Sequence, residues 1–126
     1  GVNIGLFCST PMVALSRNIS NKHSMEMLLT GDLISSSKAA EIGLINKVIN
    51  NEALQTYVLD RALKISKKSA MTLKIGKEAF YKQIDMTLSE AYDYASNVMV
   101  ENMLKLDAEE GIGAFIEKRK PNWQDK

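Results

Sequence analysis

The residues that most clearly suggest chemistry lie in the stretch EEGIGAFIEKRKPNW, residues 109–123. Phe115 precedes Lys118 by three positions, so on a helix the ring and the ammonium group share nearly the same face. An aromatic ring that can stack on a base, beside a lysine that can meet a phosphate, suits a nucleotide-containing ligand. Alternatively, the basic cluster Lys118–Lys120 only places cations at the negative end of a helix dipole. The residues alone leave both interpretations open.

This stretch predicts a helix with defined ends. Asp107 and Glu110 have the spacing of a capping box, which satisfies the free amides at a helix start. One helical face carries apolar side chains, at Ile112, Phe115 and Ile116. The basic cluster is predicted to occupy the last turn, and Pro121 prevents the helix from continuing.

Conventional catalytic and metal-binding patterns are absent, and we assign neither a catalytic residue nor a metal ligand. The chain has one histidine and one cysteine. His23 is interpreted as a surface residue at a helix start, and Cys8 as a buried or inert thiol. The carboxylate pairs Glu109/Glu110 and Glu52/Asp60 are interpreted as solvated charges.

Composition predicts one soluble domain with one core, since 45% of the 126 residues are apolar and 25% are charged. Sixteen basic against fifteen acidic side chains leave a formal charge of +1, which disfavours a nucleic-acid partner. No membrane span or signal-peptide pattern is recognised. The sequence opens in mid-pattern without an initiator methionine, which suggests a piece of a longer chain.

The preceding sequence predicts a mainly α architecture. Gly1–Thr10 is expected to hold the end of a strand and a loop, followed by helices over 11–17, about 21–30 and 35–43. Leu44–Ile49 is the one further predicted strand, because a β-branched run lies between a glycine and two asparagines. Longer amphipathic helices are predicted over 51–66, 70–84 and 88–106, the last with a Thr87–Glu90 capping box. Their methionines are expected in the core.

Three motifs together resemble the crotonase superfamily, the enoyl-CoA hydratases and isomerases. They are EGIGAFIEKRKPNW (110–123), MEMLLTGDLISSSKAAEIGLINKVI (25–49) and GVNIGLFCSTPMVALSR (1–17), and the last is closer still to one branch of the family. The resemblance implies the C-terminal helical region of the crotonase fold, with one or two short strands. Residues 1–50 would end the crotonase core, and residues 51–126 would build trimer contacts and cover the acyl-CoA site.

By the same resemblance, Phe115 and Lys118 would contact the adenine and phosphate end of CoA, often across a subunit boundary. Acyl-CoA would be the substrate, and no further cofactor is implied. The segment that carries the oxyanion-hole amides and the first catalytic glutamate would lie outside this chain, so these residues alone are not expected to be catalytic.

The position of the family's second catalytic glutamate aligns with Gly1, which has no side chain to act as a base. This alignment argues against hydration by the usual two carboxylates, whereas acyl-CoA binding in fatty-acid metabolism remains the leading hypothesis. A trimer or dimer of trimers is expected, in the cytoplasm of a bacterium or the mitochondrial matrix of a eukaryote. The alternative is a non-catalytic oligomerisation module.

Overall fold

The computed structural model describes residues 1–126, and all of its regular secondary structure is helical. A single turn of 3-10 helix, Val2–Ile4, is followed by α1 (Ser9–Asn18), α2 (Asn21–Thr30), α3 (Ser36–Glu41), α4 (Asn51–Ser66), α5 (Ala70–Gln83), α6 (Leu88–Met103) and α7 (Leu106–Ile116). The mainly α prediction is confirmed. None of these helices combines the length and the hydrophobicity that a membrane span requires.

Local capping signals set most helix ends. The hydroxyl of Ser20 accepts a hydrogen bond from the amide of His23 at the start of α2, and Gly31 ends that helix with φ of 66°. Only glycine adopts this left-handed conformation without a steric cost, so the sequence marks the helix end clearly. The predicted Thr87–Glu90 capping box is present at the start of α6.

Neither predicted strand is present. Gly1–Thr10 holds the 3-10 turn and the start of α1, whereas residues 44–49 form bends and irregular backbone. Leu44–Ile49 has the composition of a strand, but a strand is defined by ladder hydrogen bonds to a neighbour. None of the 126 residues provides such a neighbour, so the prediction of one or two short strands was wrong.

The chain forms two compact units, residues 1–55 and residues 56–126. In the first unit α1 packs on α2, and α2 also contacts the 3-10 turn. In the second unit α6 packs on α5 and contacts α7. Composition had predicted a single domain, whereas the residues divide into two compact units.

Few apolar side chains are buried among these residues, and the expectation that the methionines lie in the core is wrong for three of them. Ile19, Ala39 and Ala114 are the only buried apolar residues. Met25, Met99 and Met103 are each at least 50% exposed. The α4 stripe is also exposed, at Leu54, Val58, Ala62 and Ile65. Amphipathic spacing specifies an apolar face, but burial requires an opposing surface that these residues do not supply.

Candidate functional site

Phe115 lies near the end of α7, and its side chain is 84% exposed. It borders a groove of about 560 Å³ formed by residues of α5, α6, α7 and the segments beside them. The walls are mainly apolar, and Lys68, Thr72 and Asn102 add polar groups. A volume of roughly 300–1,000 Å³ with a few polar groups is typical of small-molecule sites.

Lys118 lies just beyond α7, because the helix ends at Ile116. Its φ of 54° is left-handed, and its amide donates a hydrogen bond of 3.3 Å to the carbonyl of Phe115. The predicted last helical turn is therefore replaced by a reversal of the chain. Lys118 forms no ion pair, since the neighbouring carboxylate of Glu117 binds Arg119 instead.

Arg119 makes a two-point contact with Glu110, nine residues earlier. Its Nη1 lies 2.6 Å from Oε1 and its Nη2 lies 2.8 Å from Oε2. Oε1 of Glu110 also accepts a hydrogen bond of 2.7 Å from the amide of Asn122. The arginine bonds, followed by the amide bond, hold the pKa of Glu110 at about 2. Glu110 was predicted to be solvated at a cap, but it is paired because the chain reversal returns Arg119 to α7.

Asp107 is buried, with 2% exposure, and it does not form the predicted capping box. Helix α7 begins at Leu106, two residues earlier than that box requires, and its cap residue Lys105 makes no side-chain cap bond. The Asp107 carboxylate instead accepts hydrogen bonds from the amides of Gln124, at 2.7 Å, and Asp125, at 3.1 Å. A hydrogen bond from the Ser69 hydroxyl is the largest cause that lowers the pKa of Asp107, and these amides add to it.

The tail, defined as residues 117–126, is held along α7 and the start of α5. The indole Nε1 of Trp123 donates a hydrogen bond of 2.8 Å to the carbonyl of Lys67. The Trp123 ring also packs over Gly111, where an added Cβ would lie 3.2 Å from the nearest ring carbon. A side chain at position 111 would therefore require the indole to move by a few tenths of an ångström.

Several residues around the groove had not been predicted. Lys68 and Asn102 line it, and Asn102 Oδ1 is buried without a hydrogen-bond partner. No sequence signal could have brought them together, because they come from separate segments of the chain. Trp123 was predicted only as part of a family motif. Its single occurrence directly after Pro121 and Asn122 was the available signal for a packed tail.

The other candidates remain apart from the groove. Ser20 Oγ lies 3.1 Å from His23 Nδ1, so the ring belongs to the start of α2. Cys8 is a free, half-buried thiol. Glu52 and Asp60 lie on the exposed surface of α4.

The helical architecture and the tail motif agree with the protein family that the sequence matches. All 126 residues match the family described as enoyl-CoA hydratase/isomerase. The chain belongs to this family, and its structure corresponds to crotonase-fold proteins.

Individual relatives place the chain more closely. It is 50% identical to the mouse protein named enoyl-CoA hydratase domain-containing protein 3, mitochondrial, covering 98% of this chain and 41% of the relative. The crystal structure of the human protein of that name matches with a TM-score of 0.94 and 46% identity, over 98% of this chain and 49% of that one. An enoyl-CoA hydratase from Mycobacterium smegmatis matches with a TM-score of 0.94 and 44% identity, over 98% of this chain and 48% of that one.

The chain thus spans about two fifths of the curated relative from mouse. It is also 34% identical to the orangutan (Pongo abelii) protein named enoyl-CoA hydratase, mitochondrial, over 89% of this chain and 39% of that relative. The match therefore covers only a part of each relative, and the activity of a whole relative is not assigned to this chain by the match.

Proposed function

We propose that these residues form the acyl-CoA-binding C-terminal region of an enoyl-CoA hydratase/isomerase family protein, acting in fatty-acid metabolism. Phe115 would stack on the adenine of CoA, and Lys118 would meet a phosphate. The family relationship supports acyl-CoA as the ligand class.

The observation that carries this proposal is the contrast between Lys118 and Arg119. The guanidinium nitrogens of Arg119 are engaged, Nη1 and Nη2 by Glu110 and Nε by Glu117. Lys118 is exposed and unpaired, and it follows the exposed ring of Phe115 by one reversed turn. The basic cluster therefore separates into an arginine that folds the tail and a lysine that is free to bind an anion.

Binding should be measured by calorimetry with the intact parent protein, using crotonyl-CoA as the probe. Lys118→Ala and Phe115→Ala are each expected to weaken binding by roughly tenfold, as for the loss of one charge-assisted or stacking contact. Lys120→Ala removes the same charge from an exposed position two residues away and is the matched control. Absence of crotonyl-CoA binding, or equal affinity of the wild type and Lys118→Ala, would overturn the proposal.

The proposal concerns binding rather than hydration by two carboxylates. Gly1 occupies the position that the family resemblance gives to a catalytic glutamate. A Cβ at Gly1 would lie 2.8 Å from the carbonyl oxygen of Leu6, a separation at which the backbone has to shift. The surrounding turn thus has no room for a glutamate in this conformation. Measurable two-carboxylate hydration of crotonyl-CoA by the intact protein would contradict this part of the proposal.

A second function, oligomerisation, is favoured by the exposed apolar side chains. Along α6, Leu88 is 76% exposed, Met99 61% and Val100 60%. Burying such side chains stabilises an assembly in proportion to the apolar area removed from water. We expect a homotrimer or a dimer of trimers, measured by light scattering of the intact protein. A stable oligomer without acyl-CoA affinity would favour the non-catalytic module instead.

The location of the protein follows from the same proposal. The mouse relative is named as mitochondrial. We expect the matrix in a eukaryote and the cytoplasm in a bacterium. Fractionation of the source cells, with detection of the intact protein, tests this expectation.

A further inference from the structure

We propose that Glu110 is a positioning residue for the nucleotide end of the acyl-CoA site, acting through Arg119 to fix the turn that carries Lys118. This inference rests on the proposed function, because it assigns a role to a side chain that supports Phe115 and Lys118 without touching the ligand.

The turn begins where α7 ends. The amide of Glu117 donates to the carbonyl of Gly113 at 2.9 Å, and the amide of Arg119 donates to the carbonyl of Ala114 at 3.0 Å. Between them, Lys118 has a φ of 54°. A lysine has no intrinsic preference for the left-handed region, since its Cβ crowds the backbone there. The surrounding contacts must therefore hold this residue in place.

Arg119, the residue after Lys118, supplies those contacts. Its guanidinium binds Glu117, the residue before Lys118, and Glu110, nine residues before Arg119 on α7. If the helix continued through Lys118, Arg119 would lie nine residues ahead of Glu110 along a rigid rod, about 13.5 Å away at 1.5 Å per residue. The two-point contact with Glu110 therefore selects the reversed chain over the continued helix.

Glu110 also fixes the chain after the turn. Its Oε1 accepts both Arg119 Nη1 and the amide of Asn122. One carboxylate thus joins α7 to two points of the tail, and its side chain is only 20% exposed. Glu109, its neighbour, is exposed, and its side chain makes no hydrogen bond or ion pair. The two glutamates therefore differ in structure although they carry the same charge.

The chemistry of this arrangement predicts an effect confined to one end of the ligand. Loss of the Glu110 carboxylate frees the turn that carries Lys118, which weakens the proposed contacts to the adenine and phosphate groups. The thioester and pantetheine portions make none of these contacts. The affinity for a crotonyl thioester of pantetheine should therefore stay the same when the Glu110 carboxylate is removed.

The experiment compares Glu110→Gln with Glu109→Gln in the intact protein, using calorimetry with crotonyl-CoA and crotonyl-pantetheine. Glu110→Gln is expected to weaken crotonyl-CoA binding by roughly fivefold to tenfold, with pantetheine thioester binding unchanged, and Glu109→Gln to change neither. Adding Lys118→Ala to Glu110→Gln should cause little further loss, because residues that act through one another are not additive.

Arg119→Lys provides a second variant, since it keeps the charge and removes the two-point geometry. It should reproduce the selective loss for crotonyl-CoA even if Glu110→Gln folds poorly. Equal losses for both probes, or equal behaviour of Glu110→Gln and Glu109→Gln, would overturn the positioning role. If Lys118→Ala weakens crotonyl-CoA binding but Glu110→Gln and Arg119→Lys do not, only this inference fails. If Lys118→Ala has no effect, the proposed function fails first.

Discussion

The carboxylate of Asp125 accepts a hydrogen bond of 2.7 Å from the amide of Ala70, 55 residues earlier in the chain. The same oxygen lies 3.3 Å from the amide nitrogen of Met71. These amides open α5 and have no partner within that helix, so a negative side chain from the tail satisfies them and meets the positive end of the helix dipole. The tail is therefore attached to α5 as well as to α7.

Removal of this carboxylate should loosen the start of α5. Asp125→Ala is expected to lower the free energy of unfolding by about 0.5–1 kcal/mol, the usual effect of an anion at a helix N-terminus. Denaturant unfolding of the intact protein measures the change. Gln124→Ala is the control, because that neighbouring residue forms its hydrogen bond through the backbone amide only. Equal effects of the two substitutions would contradict the capping role of Asp125.

The two glycines of α7 should respond differently to alanine. At Gly113 an added Cβ meets nothing within 4 Å, whereas at Gly111 it meets two atoms of the Trp123 ring at 3.2 and 3.3 Å. Gly113→Ala should raise the free energy of unfolding by up to about 1 kcal/mol through helix propensity. Gly111→Ala should give a smaller gain or a loss, because the indole must move. Thermal unfolding of both variants provides the test, and an equal gain at both positions would show that the indole yields freely.

Acid should release the tail between about pH 4.5 and pH 2. The pKa of Glu110 is lowered from 4.5 to about 2 in the folded chain. Since the folded pKa is the lower one, the stabilisation is present above about pH 4.5 and is lost as the pH falls through the folded pKa. A carboxyl titration by NMR should give a midpoint near 2 for Glu110 and a higher one in Arg119→Ala. An unchanged midpoint in that variant would exclude Arg119 as the principal cause.

Loss of the capping box of α6 should lower the free energy of unfolding by the amount that is usual for a helix cap. The Thr87 hydroxyl accepts the amide of Glu90 while the Glu90 carboxylate accepts the amide of Thr87. Thr87→Ala is expected to cost about 1 kcal/mol of unfolding free energy. Ser89→Ala, in the first turn of the same helix but outside the box, is the control and should be nearly neutral. Denaturant unfolding distinguishes them, and a neutral Thr87→Ala would show that the box is not needed.

Helix caps that depend on near neighbours in the chain could be predicted from the sequence. The capping box of Thr87 and Glu90 involves groups three residues apart, and it was predicted correctly. The bonds of Asp107 reach residues 17 and 18 positions away, and that of Trp123 spans 56. Such partners depend on tertiary structure, so a local capping box at Asp107 was the wrong inference.

The residues of the candidate site could be selected from the sequence, but their arrangement could not be predicted. Phe115 and Lys118 were selected by residue type and family resemblance, and their roles remain predictions. The helical spacing invoked to bring them together does not apply, because α7 ends at Ile116. The sequence could not show that Arg119 is ion-paired while Lys118 is unpaired. This difference depends on the chain reversal that brings Arg119 to Glu110.

The pairing of Arg119 within the fold should affect how ligand binding depends on salt concentration. A sequence count gives three adjacent cations, but Arg119 is already neutralised within the fold. An incoming phosphate therefore displaces few mobile counterions from this surface. Ionic strength should weaken ligand binding only gradually, as expected for one or two exposed ammonium groups screened over about 8–10 Å, rather than with the steep dependence of a polycationic patch.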